Sequence, residues 1–200
     1  MERFHTLLDF SETCWRLLVN GAVKRRDPFG TPVIGTYDGT QAQLRTVVLR
    51  KADMQQRTLW FYSDWRAAKM AHLQEEFAQL SCLFYHPRKQ VQVRLAGQVQ
   101  LHHKDEIARA CWQQVPVRSR KSYAAVLPPG TPTSACTEGL PEGWHPEMDI
   151  AATESAFAHF AVIVCYVDWM DCLHLHPEGH QRARFEWSAE GRLQAQWLIP

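Results

Sequence analysis

Between Phe4 and Arg26, Leu7, Leu8, Trp15, Leu18 and Ala22 recur at the spacing of a helix with one apolar side. The helix ends in Lys24-Arg25-Arg26, a basic cluster suited to the negative end of a helix dipole. Asp27 to Gly30 reads as a turn, and Pro32 to Tyr37 as a strand. Asp38-Gly39 is a hairpin signal. It leads into Gln43–Lys51, a run rich in β-branched residues that predicts one buried strand carrying Arg45 and Arg50. Asp53 to Arg57 is a polar connection and Thr58 to Ser63 a returning strand. Asp64 is expected to cap a helix running through Arg66 and Lys69 to Glu76.

Phe77 to Tyr85 predicts another strand. From Gln90 to His102 the alternation is clear, with Val91, Val93, Leu95, Gly97, Val99 and Leu101 on one face and Gln92 and Arg94 on the other. Lys104 to Gln114 predicts an amphipathic helix with Ile107, Ala110 and Cys111 inward. Arg118 to Tyr123 is basic and opens a short helix. Leu127 to Met148, rich in proline and glycine, reads as a long irregular loop of the kind that forms lids or dimer contacts. Phe157 to Trp169, Cys172 to His176, Gln181 to Trp187 and Arg192 to Leu198 complete the strands, with a turn at Pro177 to His180. Many apolar strands joined by hairpins predict a mainly β, antiparallel, closed or split barrel with flanking helices, in one domain over 1–200.

The composition narrows the function classes. The chain has 200 residues, 46% hydrophobic and 22% charged, with a formal net charge of +1. Nothing in that balance favours nucleic acid or an anionic membrane. No apolar run has the length of a membrane span, and the acidic residue near the start is unlike a signal peptide. The six cysteines include no C-x-x-C pair and lie mostly in apolar segments, which suits reduced thiols in a cytoplasmic protein. Eight tryptophans are many for this length: most suit the core, and some suit an interface or a planar ligand.

The candidate chemistry concentrates between Gln43 and Lys69. A helix N-terminus offers unpaired N–H groups, so Ser63, Arg66 and Lys69 there, with Arg45 from a strand, would suit a dianionic phosphate. The ordered pattern Arg45-x-Val-x-Leu-Arg50, Phe61-Tyr-Ser63, Arg66-x-x-Lys69 and Gln92-Val-Arg-Leu-Ala-Gly97 resembles the pyridoxamine 5′-phosphate oxidase family of FMN-binding split barrels. The resemblance implies an FMN cofactor at a homodimer interface. Arg45 and Lys69 would take the phosphate with Ser63 or Arg66, beside Tyr62. The backbone of Thr46, Val47 and Val48, the Gln92 amide and Arg50 would serve the isoalloxazine edge. It also places Arg184, and His174 at a tryptophan position, among the flavin contacts. The implied activity is hydride transfer at the flavin N5, with the protein supplying position and charge.

Other positions depart from the family. Its substrate-phosphate residues fall on Cys111, Val115 and Ser119, its motif lysine on Arg50, and its Arg-x-His pair on His180-x-Arg182. Ser119, His180 and Arg182 are therefore the substrate-side candidates, and efficient oxidation of pyridoxine phosphate is not expected. The alternative reading is a flavin- or haem-carrying module without turnover, with His174 or His180 as axial ligand. Zinc at His174, His176 and His180 has no acidic or cysteine partner at helpful spacing. No G-x-S-x-G elbow and no G-x-G-x-x-G occur, which argues against a serine nucleophile or a Rossmann site. Arg118, Arg120 and Lys121 beside Tyr123 read as a solvated face or part of the cofactor rim rather than a nucleic-acid surface.

Overall fold

A computed structural model of the chain describes residues 2–76, 78–145 and 147–200. Helix α1 spans Leu7–Val23 and starts where the Thr6 hydroxyl accepts the Asp9 N–H. Its buried face uses Phe10, Cys14, Trp15, Leu17, Leu18 and Gly21, whereas Leu8 of the expected stripe is exposed. Gly21 is required by packing, because a Cβ there would lie 2.6 Å from Phe29 Cβ. That contact folds the short 3-10 turn Pro28–Gly30 back onto the end of α1.

Strand β1 (Val33–Tyr37) pairs with β2 (Ala42–Thr46) across a turn in which Asp38 Oδ1 accepts the Thr40 and Gln41 N–H groups. Strands β3 (Leu49–Asp53) and β4 (Thr58–Asp64) form a second hairpin, and β5 (Gln79–His86) and β6 (Val91–His103) a third. Strand β7 (Phe160–His174) pairs with β8 (Gln181–Trp187), and β8 with β9 (Leu193–Leu198). The sheet order is β2-β1-β5-β6-β7-β4-β3, with β8 and β9 attached through β7. The fold is mainly antiparallel β with a few helices, as the strand pattern predicts.

Several local expectations are corrected. The predicted single buried strand Gln43–Lys51 is two strands, broken at Val47 and Val48, and β2 alternates only between exposed and half-buried. As the last strand on its side of the sheet, β2 has one neighbour. At the break Val47 N–H turns to the Pro32 carbonyl, 3.0 Å away. Asp64 caps no helix: β4 runs through it, and α2 is only Ala68–His72 with Ala67 at its N-cap. Strand β5 begins at Gln79, the expected start at Phe77 lying outside the described residues. Helix α3 (Glu106–Gln113) buries Ala108 and Trp112, while Ile107 is 39% exposed and Ala110 is exposed. The indole of Trp112, not the Ile107 stripe, sets its phase. Residues 157–159 end a 3-10 helix, Glu154–His159, before β7 begins. No strand or helix occurs in 127–145, in keeping with the predicted loop; Pro146 lies outside the described residues.

The chain forms two compact units. The first comprises Met1–Phe61, Phe77–Gln100 and Val164–Pro200, with a core that includes Phe10, Leu18, Phe29, Ile34, Phe84 and Leu95. Phe29 and Phe84 meet there with ring centroids 5.3 Å apart. The second comprises Tyr62–Glu76 and Leu101–Ile163, built around Trp112, Tyr123, Phe157 and Phe160. Arg120, 1% exposed on the short helix α4 (Val117–Arg120), anchors this second core. Its guanidinium sits 4.3 Å from the Trp112 ring centroid and donates to the Trp112 and Ile150 carbonyls and the Thr153 hydroxyl. It is a buried brace, not part of the solvated basic face expected from the sequence.

Strands β6 and β7 approach closely at Gly97, where a Cβ would fall 1.7 Å from the Tyr166 carbonyl oxygen. Backbone cannot give way as a flexible side chain can. Gly97→Ala is expected to cost about 3 kcal/mol or more of stability, or to abolish soluble folding. Urea denaturation checks this, and a variant within about 1 kcal/mol of the parent would show that the strands do not meet this closely.

Candidate functional site

In the first unit the candidate residues begin on β2. Arg45 lies opposite Ile34 and donates through Nη1 to the Thr36 hydroxyl at 2.6 Å. Partial burial lowers its pKa from the usual arginine value without discharging it. Thr46, Val47 and Val48 then carry the chain out of the ladder into β3, with Val48 exposed and Leu49 buried. The β3–β4 register shifts between Leu49 and Lys51, so Arg50 sits at a β-bulge. Such irregularities re-aim a side chain and leave backbone polar groups unpaired by the ladder. Gln92 is half-buried on β6, opposite Tyr85.

The C-terminal candidates share the β7–β8 ladder, where His174 faces Gln181, Leu173 faces Arg182 and Asp171 faces Arg184. Their side chains are largely committed. Arg182 makes a two-pronged ion pair with buried Asp171, at 2.8 and 3.1 Å, which raises the Arg182 pKa further. Arg184 lies 3.9 Å from the Trp169 ring centroid and donates to Glu186 at 2.9 Å. His174 is 2% exposed, its ring 5.5 Å from Phe4 and 5.3 Å from His176, and its Nδ1 is buried without a hydrogen-bond partner. Burial first, then the charge of His176, pushes its pKa below the usual histidine value. His180 is exposed in the β7–β8 connection.

In the second unit, Tyr62, Ser63, Arg66 and Lys69 form one short segment. The Tyr62 ring stands edge-on to Phe160 at 4.9 Å. Ser63 is buried and donates its hydroxyl to the Asp64 carbonyl. The Asp64 carboxylate takes the Arg66 N–H, Nε and Nη2 at 2.8 to 3.1 Å, and Arg66 also donates to the Ala125 and Val126 carbonyls. Arg66 therefore ties the segment to the start of the long loop. Lys69 is half-exposed on α2. Ser119 lies on α4, half-buried, its N–H donating to the Pro116 carbonyl at 2.8 Å.

Sequence reading missed the groups that hold these cations. Asp64, Asp171, Glu186 and Trp169 fix Arg66, Arg182 and Arg184. The Asp64-x-Arg66 spacing is a legible Asx-turn signal, and Glu186 stands two residues from Arg184 as strand alternation allows. Asp171 and Trp169 come from another strand and carry no local signal.

Comparison with known proteins places this arrangement in a class. Residues 12–103 match the model of the pyridoxamine 5′-phosphate oxidase FMN-binding domain. A pyridoxamine 5′-phosphate oxidase-related, FMN-binding protein from Nostoc punctiforme superposes with a TM-score of 0.69 at 19% identity, over 100% of this chain and 98% of that one. PhzG from Burkholderia lata, solved with tetrahydrophenazine-1-carboxylic acid, gives 0.68 at 15% identity over 96% and 92%. A Clostridium acetobutylicum protein related to general stress protein 26 gives 0.51 at 9% identity over 95% of both chains. No curated protein sequence matches the chain. The fold is thus the split barrel of pyridoxamine 5′-phosphate oxidase-related proteins. Within it, residues 12–103 carry the match to the pyridoxamine 5′-phosphate oxidase FMN-binding domain, and the identities of 19% and 15% mark how far the chain has diverged from these structural neighbours.

The burial of His174 has a pH consequence. Its proton binds more weakly in the folded state than in the unfolded chain, whose histidines titrate near ~6.5. Its contribution to stability is complete above that value and is lost as pH falls through it. His174→Phe is expected to flatten the decline of thermal stability between roughly pH 7 and pH 5. An unchanged slope in melting experiments would mean that His174 is not a buried neutral histidine.

Proposed function

We propose that this chain binds FMN and acts as a flavin-dependent oxidoreductase. The observation that carries the reading is the family match over residues 12–103, within which the positions assigned to the cofactor retain suitable chemistry. Arg45 keeps a guanidinium whose hydrogen-bond partner among the described residues is the Thr36 hydroxyl, so other N–H donors remain for a phosphate. The irregular stretch Thr46–Val48 and the bulge at Arg50 present backbone groups and a cation of the kind an isoalloxazine edge accepts. Tyr62, Ser63, Lys69 and Gln92 also keep the residue types that the resemblance assigns to the cofactor, and each is proposed as a contact on that ground. Arg66 acts in this proposal through Asp64 and the loop, as a positioning residue. Arg184, stacked on Trp169, is proposed as a flavin contact from a second copy in a homodimer.

A bound flavin would supply hydride transfer at its N5, while the chain's residues hold it and place charge beside it. The substrate-side candidates, Ser119, His180 and Arg182, are weakened by Arg182 being closed on Asp171. His180 and Ser119 stay in the proposal. His174 does not suit an axial haem ligand, since it is buried against Phe4. Cytoplasmic placement is proposed from six free thiols, four of them buried. Among the described residues no helix is long and apolar enough to cross a membrane.

The visible spectrum of the purified chain, followed by acid release of any chromophore, tests the reading. Flavin bands and free FMN are expected. A Soret band, or a colourless chain that fails to take up added FMN, would overturn it. Arg45→Ala and Lys69→Ala are each expected to weaken FMN binding by about 10- to 100-fold, the scale of one charge-assisted phosphate contact. Fluorescence titration with FMN measures both, and full retention in either variant removes that residue from the phosphate assignment.

A further inference from the structure

Ahead of α1 the chain lies against the end of the β7–β8 ladder, within the first unit, and one side chain holds it there. The Gln181 amide accepts the Phe4 N–H at Oε1 and donates through Nε2 to the Phe4 carbonyl, both at 2.8 Å. A side-chain amide, with its one acceptor and its N–H donors, thus supplies the pair of bonds that a neighbouring strand would give. Residues 2–6 themselves belong to no strand or helix. The Phe4 ring closes the contact, stacked on Phe10 at 4.1 Å and edge-on to His174 at 5.5 Å. Phe10 in turn stacks on Trp197 of β9 at 5.9 Å. One further bond, from Arg3 Nη1 to the Glu178 carbonyl at 3.4 Å, is long and exposed.

Under this cover lies a histidine with an unsatisfied nitrogen. The buried Nδ1 of His174 has no hydrogen-bond partner, so water would satisfy it if the segment lifted. A proton on the ring would strain the closed arrangement further, because no neighbour supplies a compensating charge. From the β7–β8 connection come half-buried His176, its ring 5.3 Å away, and exposed Glu178 and His180. The segment itself carries exposed Glu2, Arg3 and His5, and the amino terminus adds positive charge. α1 offers the Cys14 thiol and β7 the Cys172 thiol, which burial pushes up in pKa. β8 offers the neutral Gln181 amide, and β9 the Trp197 indole. Asp171, on the same strand as His174, is already closed on Arg182. Among the described residues the histidines in ion pairs are His102 and His145, so His174 has no carboxylate to hold it charged.

We propose that residues 2–6 are a pH-sensitive strap, clamped on the β7–β8 ladder by Gln181 while His174 is neutral and released when His174 takes a proton. Release uncovers His174 and Phe10 at the end of the ladder that carries Arg182 and Arg184. In the closed state burial first, then the charge of His176, weakens proton binding at His174 relative to a solvated histidine, which titrates near ~6.5. Closure is therefore complete above that pH and is lost as pH falls below it, by at most about 10-fold per pH unit. The strap stands on its own geometry and does not require the flavin reading.

The test is fluorine NMR of the full chain carrying 4-fluorophenylalanine at position 4, followed from roughly pH 8 to pH 5. A second sample carries the label at position 84, where Phe84 is buried in the core of the same unit. The parent is expected to show a buried position-4 signal at neutral pH. An exposed signal should grow below about pH 6.5, by up to about 10-fold per unit relative to the buried one, while position 84 stays unchanged. In His174→Phe the position-4 signal is expected to remain buried throughout, and in Gln181→Ala to be exposed at every pH. A position-4 signal that ignores pH in the parent overturns the proposal, and so does an equal response in His174→Phe. A change at position 84 in step with position 4 also overturns it, since the chain would be unfolding as a whole. Gln181→Ala with a buried signal removes the clamp and the proposal with it. The parent's two profiles decide the matter even where a variant fails to fold, and none of these readouts depends on whether the chain binds FMN.

Discussion

The close approach of β6 and β7 at Gly97 is the constraint from which the sheet is assembled. These are its two longest strands, 13 and 15 residues, and they are neighbours in the strand order. One side of the pair carries β5, β1 and β2; the other carries β4 and β3, with β8 and β9 joined through β7. A side chain at position 97 would run into the Tyr166 carbonyl, so only glycine lets the two halves of the sheet hydrogen-bond at that point. The candidate segments at 45–50, 92 and 174–184 all hang from strands placed by this pair.

What distinguishes the candidate cations from one another is whether a carboxylate has reached them first. Asp171 is buried and would carry an uncompensated charge without Arg182, so that pair holds the β7–β8 ladder together more than it offers a ligand site. Asp64 does the same for Arg66, converting the expected helix cap into a clasp on the loop at Ala125 and Val126. Arg45 has a neutral hydroxyl partner instead, and Lys24, Arg25 and Arg26 make no ion pair among the described residues. The second group's charge is thus not already spent inside the fold.

Much of the fold was legible in the sequence, because periodicity reports burial. The alternation from Val91 onward sets β6, and the Asp38-Gly39 signal sets the β1–β2 turn. The candidate segment was legible as ordered motifs. Errors arose where a distant element decided the outcome. Ile107 and Ala110 look inward by hydropathy, but Trp112 and Ala108 fill the second core, and a large indole outweighs smaller side chains in setting a helix's phase. Arg120 reads as part of a basic surface run, yet three carbonyls and the Thr153 hydroxyl pull it inside. The carboxylates that fix Arg66, Arg182 and Arg184 were missed because ion pairing across strands leaves no trace in spacing along one of them.

The break at Val47 and Val48 joins the fold to the chemistry. A continuous strand from Gln43 to Lys51 would have bound its backbone groups into the ladder and alternated Arg45 and Arg50 to opposite faces. The interruption, followed by the bulge at Arg50, adds residues outside the regular pairing and resets which way the next side chain points. Sequence composition favours continuity there, with two valines and a leucine in succession. The fold overrides that preference at the one stretch where exposed backbone and a re-aimed cation would serve a planar, hydrogen-bonding ligand. Local disagreement between propensity and structure of this kind is expected where function, and not stability, has shaped the chain.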